Sequence, residues 1–367
     1  MKLIDLSYFF EKSEKTPLQV VQEYQATRLF LEALSTHFDS VTAYRSYPTS
    51  SELQIGKVHY VFSPQIKSSR FSIPVKLHQQ IRILNPDVIL VHGWLYPLQV
   101  IHLRKTLGKN CLICIQHHAE KPAFGLKKWI QAWQFKYVDA AFFTSFLLAQ
   151  QWFGAFGSRQ HPQIYEVAEG ASPFRNEITK TDKLSGNPSL LSVANLDENK
   201  DPITLLKAFA KLRENYPLAT LHLVYKKRKL EQKLMHLAAE LGIQNQVVFH
   251  GEVSHKSLGK YYRGADYFVS ASHAESTGFA VIEAISCGCI PLVTRIPSHQ
   301  KITDNGKIGA LWEVANPADF ENKFNEIEAV DKVGLKQKCL DFFDVKLSYE
   351  SLGRQAYEAF QQMNAKH

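Results

Sequence analysis

The chain has 367 residues, with 43 Lys and Arg against 35 Asp and Glu, for a formal net charge of +8 at pH 7 and a pI near 9.0. At ~100–200 residues per domain the length suggests two domains, and 45% hydrophobic with 21% charged residues excludes disordered, collagen-like and low-complexity classes. The positive balance suits an anionic ligand, an anionic membrane or nucleic acid without choosing among them.

In chain order, short apolar runs alternate with longer amphipathic stretches. Lys2–Ser7 reads as a strand and Leu18–His37 as one helix. Val41–Tyr44 and Val58–Phe62 are strand candidates, and Pro74–Asn85 is a helix that stops before Pro86. Asp87–Val91 is a β-branched run of the kind found in buried parallel strands. Leu95–Leu107 reads as a helix, Cys111–Gln116 as a strand, Leu126–Tyr137 as a helix and Ala140–Thr144 as a strand. After a Gly-, Ser- and Pro-rich break the rhythm restarts. Strands are expected at Ser189–Val193, Leu221–Val224, Val247–Phe249, Tyr267–Val269 and Ile290–Val293. Helices are expected at Pro202–Tyr216, Leu230–Leu241, Gly278–Cys287, Asp319–Ala329 and Ser348–Ala365.

Such alternation means βαβ units and parallel sheets, an α/β class with two Rossmann-like, doubly wound domains. The expected divisions are 1–172, a linker at 173–187, 188–345, and a final helix at 346–367 whose attachment the sequence leaves open, a return to the first domain included. Ligands in such sheets bind at the carboxyl ends of the strands, so a cleft between the domains is the expected site.

The five cysteines do not form a disulfide framework. Cys111 and Cys114 lie three apart in an apolar strand, face opposite sides and read as core residues rather than metal ligands. The start, Met1-Lys-Leu-Ile-Asp5, does not read as a signal peptide, and the least polar window, Ala140 to Phe156, is interrupted by Thr144, Ser145, Gln150, Gln151 and Gly154. A reducing, cytoplasmic setting is the expectation. Dispersed basic residues without a recognised motif argue against nucleic acid.

The chemistry concentrates in one segment. A strand ends at Val269, a small-residue loop follows, and a helix begins near Thr277 or Gly278 with Ser276 or Thr277 as its expected cap. Exposed N–H groups at that helix start, around Gly278 and Phe279, suit a phosphate or diphosphate. Glu275 precedes the helix and Glu283 sits in it between Ile282 and Ala284. Such carboxylates can accept charge-assisted hydrogen bonds from sugar hydroxyls, although acids at a helix start are also ordinary partners of the helix dipole.

This segment, Glu275-Ser-Thr-Gly-Phe-Ala-Val-Ile-Glu283 with Ala284, Cys287-Gly288 and Pro291, resembles the E-x7-E signature of glycosyltransferase family 4. Weaker likenesses run through Pro86–Gly93, Val138–Ser145, Glu169–Phe174 and His250–Val253. The resemblance implies a GT-B fold, with a donor-binding second domain facing an acceptor-side first domain. It implies retaining transfer from a UDP- or GDP-sugar to a hydroxyl of a saccharide or lipid-linked acceptor, in bacterial-type polysaccharide or glycolipid synthesis. No cofactor or metal is expected, and the sequence has no DxD cluster.

On that likeness Glu283 holds the ribose, Glu275 the donor sugar, and Ser276, Thr277, Gly278, Phe279 and Val253 line the donor pocket. His118, and after it His117, are the candidate histidines at the end of the Cys111–Gln116 strand. His92-Gly93-Trp94 is expected on the acceptor side, as are Tyr8 and Phe9 of the first loop, without an assigned role. Lys200 matches the family's lysine, but the partner arginine position falls on Asn195 or Asp197. That departure keeps open a second reading, a catalytically degenerate GT-B protein acting as a binding or partner subunit. Lys226-Lys-Arg-Lys229 is a candidate replacement cation cluster, against its reading as a solvated charge run. The stretch 126–157 is rich in aromatics and lysines. It reads as a core-facing helix with a lysine-rich outer edge, with peripheral contact to a membrane as the alternative.

Overall fold

A computed structural model describes residues 1–365, apart from 11–14, 67–70, 119, 158–159, 168–169, 172–173, 175–182 and 276. The expected linker therefore lies largely outside the described residues. The chain divides into two compact units, Met1–Glu169 with Tyr349–His367, and Gly170–Ser348.

The first unit contains β1 (Lys2–Leu6), α1 (Pro17–Glu23), α2 (Gln25–Leu34), β2 (Ser40–Ser46), β3 (Ser51–Ile55), β4 (Val58–Ser63), α3 (Val75–Leu84), β5 (Val88–His92), α4 (Pro97–Leu107), β6 (Leu112–Gln116), α5 (Leu126–Gln134), β7 (Ala140–Phe143), α6 (Phe146–Gly154) and β8 (Gln163–Glu166). Its sheet runs β3-β4-β2-β1-β5-β6-β7-β8, parallel throughout except for β3, which pairs antiparallel with β4. The strands separate their side chains onto two faces. Leu3, Val88, Leu90, Leu112 and Cys114 enter one core, while Ile4, Ile89, Val91, Cys111 and Ile113 enter the other. That is why these strands read as unbroken apolar runs, and why Cys111 and Cys114 are separated by the sheet.

The second unit contains β9 (Ser189–Val193), α7 (Pro202–Asn215), β10 (Thr220–Val224), α8 (Glu231–Glu240), β11 (Val247–Gly251), α9 (His255–Gly264), β12 (Tyr267–Ser270), α10 (Phe279–Ser286), β13 (Ile290–Thr294), α11 (Pro297–Ile302), β14 (Ala310–Trp312), α12 (Pro317–Glu328) and α13 (Lys332–Phe342). All its strands are parallel, in the order β11-β10-β9-β12-β13-β14.

The last helix, α14 (Tyr349–Asn364), packs on the first unit. Tyr349, Leu352, Ala356, Ala359, Phe360 and Met363 recur at helical spacing and join the core of α2 and β2. Gly353 lets the two helices meet closely, since a Cβ there would lie 2.9 Å from the Ala33 Cβ.

Two differences from the sequence reading concern packing. Leu18–His37 is two helices, broken at Tyr24 (φ −85°, ψ 50°), so that Val20 and Val21 are buried from one segment and Phe30, Leu31 and Leu34 from the other. The core-facing reading of 126–157 holds for α6 but not for α5. α5 turns Leu126, Trp129 and Trp133 outward and buries Gln131, Ala132 and Gln134. The core aromatics of that stretch are Phe135 and, from α6, Trp152 and Phe153, with Phe156 just beyond it.

Candidate functional sites

In an open parallel sheet the strand order reverses where neighbouring connections leave in opposite directions, and a crevice opens there. In the second unit this is the β9/β12 junction. A cavity of about 180 Å³ lies there, lined by Ser192 and Val193 from β9, Ser270 and Ser272 from β12 and its loop, and Lys200, Glu275 and Phe279.

α10 begins beside it. Its cap is Gly278, with φ 81° and no side-chain hydrogen bond, rather than the expected Ser276 or Thr277. Ser276 lies outside the described residues, and Thr277 is buried. Glycine takes this left-handed conformation without the penalty a Cβ would bring. The first intrahelical bonds run from the Val281 and Ile282 N–H groups to the Gly278 carbonyl, at 2.9 and 3.2 Å. The N–H groups before them have no intrahelical acceptor and carry the positive end of the helix dipole.

The Lys200 ammonium pairs with the Glu275 carboxylate. The Ser272 hydroxyl donates to the same oxygen at 2.8 Å. Two loops are tied together around this pair. The His273 N–H donates to the Asn199 carbonyl at 2.8 Å, and the Asn199 side chain donates to the Ala274 carbonyl at 3.0 Å. Asp197 accepts from the Asn199 and Lys200 N–H groups, which turns Lys200 toward Glu275. Asn195 accepts from the Lys227 N–H at 3.2 Å. Both candidate arginine positions are thus spent on holding backbone. The Lys226–Lys229 run behaves as a solvated surface, with Lys226 paired to Glu252 and Lys229 to Glu198.

Glu283 lies one turn further along α10 and is buried. The Tyr262 hydroxyl donates to one of its oxygens and His255 Nε2 contacts the other, both at 2.8 Å. His255 is the solvent-facing member of this trio, and its hydrogen bond to Glu283 raises its pKa. Val253 is partly buried against the same core.

The sequence reading missed His299 on α11. It is fully buried, with Nδ1 2.9 Å from the Thr294 carbonyl, which places the proton on Nδ1. Nε2 has no hydrogen-bond partner and would lie 3.7 Å from a Cβ at Gly278. Burial drives its pKa down to about 4, so it stands neutral beside the helix start. Its signal in the sequence was its place just past the end of β13, on the edge where ligands bind.

The first unit has its own cavity, about 440 Å³, at the corresponding β1/β5 junction. Ser7, Phe9, Arg45, His92 and His118 line it. Behind it runs a buried chain: Arg45 Nη2 to Asp5 Oδ1 at 2.5 Å, Asp5 Oδ2 to His92 Nε2 at 2.6 Å, and His92 Nδ1 to His118 Nε2 at 2.8 Å. Burial opposes the Asp5 charge, but Arg45 and His92 hold its pKa down to about 2. Desolvation lowers His92, against the pull of Asp5. An ionised Asp5 therefore orients a neutral His92, which in turn accepts from the His118 ring. His117, the second candidate histidine, does not line this cavity. It is buried, stacked on Phe143 at 4.4 Å and bonded to the Glu120 carbonyl at 3.2 Å. Trp94 and Tyr8 are core rather than pocket wall.

Among the described residues no group of His, Cys, Asp and Glu could hold a metal ion, and no helix is long and apolar enough to cross a membrane.

Residues 174–339, which carry the Glu275–Glu283 site, match the family described as glycosyl transferases group 1. The matched residues all lie within the second unit, short of its last nine. A D-inositol 3-phosphate glycosyltransferase of Thermomonospora curvata is 32% identical over 139 residues, 36% of this chain and 32% of the relative. A mannosylfructose-phosphate synthase of Agrobacterium fabrum is 32% identical over 112 residues, 29% of this chain and 25% of the relative. The matched stretches thus span about a third or less of these curated relatives. Similar solved structures cover the whole chain. A sucrose-phosphate synthase of Thermosynechococcus elongatus has a TM-score of 0.71 at 16% identity, with 100% of this chain and 99% of that one covered. HepE of Anabaena, solved with UDP and glucose, has a TM-score of 0.68 at 15% identity, covering 99% of this chain and 100% of that one. At these identities the likeness speaks for the fold, which is GT-B.

Proposed function

We propose that the protein is a retaining, metal-independent glycosyltransferase that takes its sugar from a nucleotide-diphosphate donor bound to the second unit. The observation that carries this reading is the convergence at one switch point of an open helix start, a lysine-paired Glu275 and a buried Glu283. The diphosphate is assigned to the N–H groups at Gly278 and Phe279. The ribose is assigned to Glu283, whose oxygens keep lone pairs beyond those used by Tyr262 and His255. The donor sugar is assigned to Glu275. Lys200 supplies positive charge as the leaving group develops its negative charge. In the transfer, the bond between the sugar's anomeric carbon and the diphosphate oxygen breaks. A bond from that carbon to the acceptor oxygen forms, and the acceptor's proton leaves with the diphosphate. The first unit's cavity, with His118 held in line by His92 and Asp5, is assigned to the acceptor, a saccharide or lipid-linked hydroxyl compound in cell-surface glycan synthesis. The UDP and glucose in the Anabaena structure and the sugar-phosphate names of the relatives support the substrate class.

The test is donor hydrolysis and transfer across a panel of UDP- and GDP-sugars. Glu275→Gln should keep nucleotide binding and lower kcat by roughly 10² or more. Equal turnover by the variant would refute the assignment. A second reading, a degenerate binding subunit, is favoured by the employment of Asn195 and Asp197 as backbone acceptors. It predicts nucleotide binding with no turnover by the unsubstituted protein.

A further inference from the structure

A helix on a protein surface ordinarily turns its apolar stripe inward and its polar face to water. α5 does the reverse. Its inner face is polar: Gln131 donates to the Trp94 carbonyl at 2.9 Å and accepts from the Ala123 N–H at 2.8 Å, and Gln134 is fully buried. Leu126, Trp129 and Trp133, at spacings that place them on one side of the helix, are 84%, 63% and 45% exposed. Phe124, just before the helix, is 88% exposed. The helix is about 14 Å long at ~1.5 Å per residue, so Leu126, Trp129 and Trp133 form one apolar strip along it rather than scattered exposures, with Phe124 exposed two residues before its start.

The charges along the strip are positive, and the acids on either side of it are occupied elsewhere, Glu120 by the Trp94 and His118 N–H groups and Asp139 by Arg104. Residues 121–138 contain Lys121, Lys127, Lys128 and Lys136 and no acidic residue. α4, which packs against α5, adds Lys105, whose Nζ lies 6.0 Å from the Trp133 ring centre, and has no acidic residue of its own. Tryptophans flanked by lysines match the boundary of an anionic bilayer, where indole rings sit at headgroup depth and ammonium groups meet lipid phosphates.

We propose that the Phe124–Trp133 face of the first unit docks on an anionic lipid surface. Leu126, Trp129 and Trp133 enter the headgroup boundary, and Lys121, Lys127, Lys128 and Lys136 contact the phosphates. This goes beyond the transferase reading and does not depend on it, because it is read by binding alone.

The test uses the full chain with vesicles of phosphatidylcholine alone and of phosphatidylcholine with phosphatidylglycerol. The protein should co-sediment with the phosphatidylglycerol vesicles, more weakly at high salt, with a blue shift of tryptophan emission. The double variant Trp129→Ser/Trp133→Ser, which alters only exposed side chains, should fold normally by circular dichroism and bind about tenfold or more weakly. Lys127→Ala/Lys128→Ala should weaken binding to the anionic vesicles and lessen its salt dependence. No binding to anionic vesicles, equal binding by the tryptophan double variant, or equal binding to pure phosphatidylcholine would overturn the proposal. So would a dimer in solution that the double variant converts to monomer, since the strip would then be a contact between copies.

Discussion

Replacing Asp5 with asparagine keeps the side chain's shape and removes one charge from a fully buried position. Asp5 receives the Arg45 guanidinium on one oxygen and His92 Nε2 on the other. In the variant, Arg45 faces an amide instead of a carboxylate. Removing one member of a buried ion pair costs ~3–5 kcal/mol. Because Arg45 retains some access to water, we expect about 3 kcal/mol, at the lower end of that range. For a unit of this size each kcal/mol lowers Tm by ~2–4 °C, giving a drop of about 6–12 °C. Tryptophan fluorescence suits the measurement, because Trp94, Trp129, Trp133 and Trp152 all belong to the first unit and only Trp312 to the second. The pH dependence adds a second check. The Asp5 pKa is lowered in the folded state to about 2. Its contribution is therefore present above the unfolded value of ~3.9 and lost only as pH falls toward the folded one. The difference between wild type and variant should be flat from pH 5 to pH 8 and shrink below about pH 4. A Tm change under about 2 °C, or a difference that vanishes near neutral pH, would refute the buried-relay account.

Gly353→Ala should cost ~1–3 kcal/mol by overpacking against Ala33 and regain ~1 kcal/mol of helix propensity, for a net loss of up to about 2 kcal/mol in the first unit; chemical denaturation would show it, and stabilisation would mean that α2 and α14 separate easily. His255 has a raised pKa from its bond to Glu283. That contact therefore stabilises fully below the unfolded histidine value of ~6.5 and fades as pH rises through the higher folded value. Comparing His255→Gln with wild type by thermal unfolding should show the larger deficit at pH 5.5 and the smaller at pH 8.5, and the opposite order would contradict the pairing.

Much of this architecture was legible because a strand buried on both faces needs a continuous apolar run, as Val88–His92 and Ile290–Thr294 show. β3 was not, since Ser51-Glu-Leu-Gln-Ile55 sits at the sheet edge with only modest burial and lacks that pattern. The orientation of α5 was hidden for a different reason. Periodicity marks an apolar stripe but not which way it faces, and here the stripe faces water. At the site, Glu275, Gly278 and Glu283 stood out as acids and a glycine around a helix start, and Lys200 through the family resemblance alone. Asp5 and His299 did not, because their meaning comes from contacts distant in sequence, Asp5 with Arg45 and His92, and His299 with the start of α10. A carboxylate inside β1, between Ile4 and Leu6, was nonetheless a sign that a buried charge required a partner.

The central claim, that α10 and its two carboxylates form a nucleotide-sugar site, is tested most directly by calorimetric titration of UDP- and GDP-sugars into wild type, Glu283→Ala and Tyr262→Phe. The phenylalanine variant removes the tyrosine's hydrogen bond to Glu283 but leaves the carboxylate in place. The account predicts that wild type binds at least one nucleotide sugar and that Tyr262→Phe stays close to it. Glu283→Ala should bind about 10- to 150-fold more weakly, the equivalent of losing ~1.5–3 kcal/mol of charge-assisted hydrogen bonding. Absence of any nucleotide binding by the wild type, or equal affinity for Glu283→Ala, would contradict it.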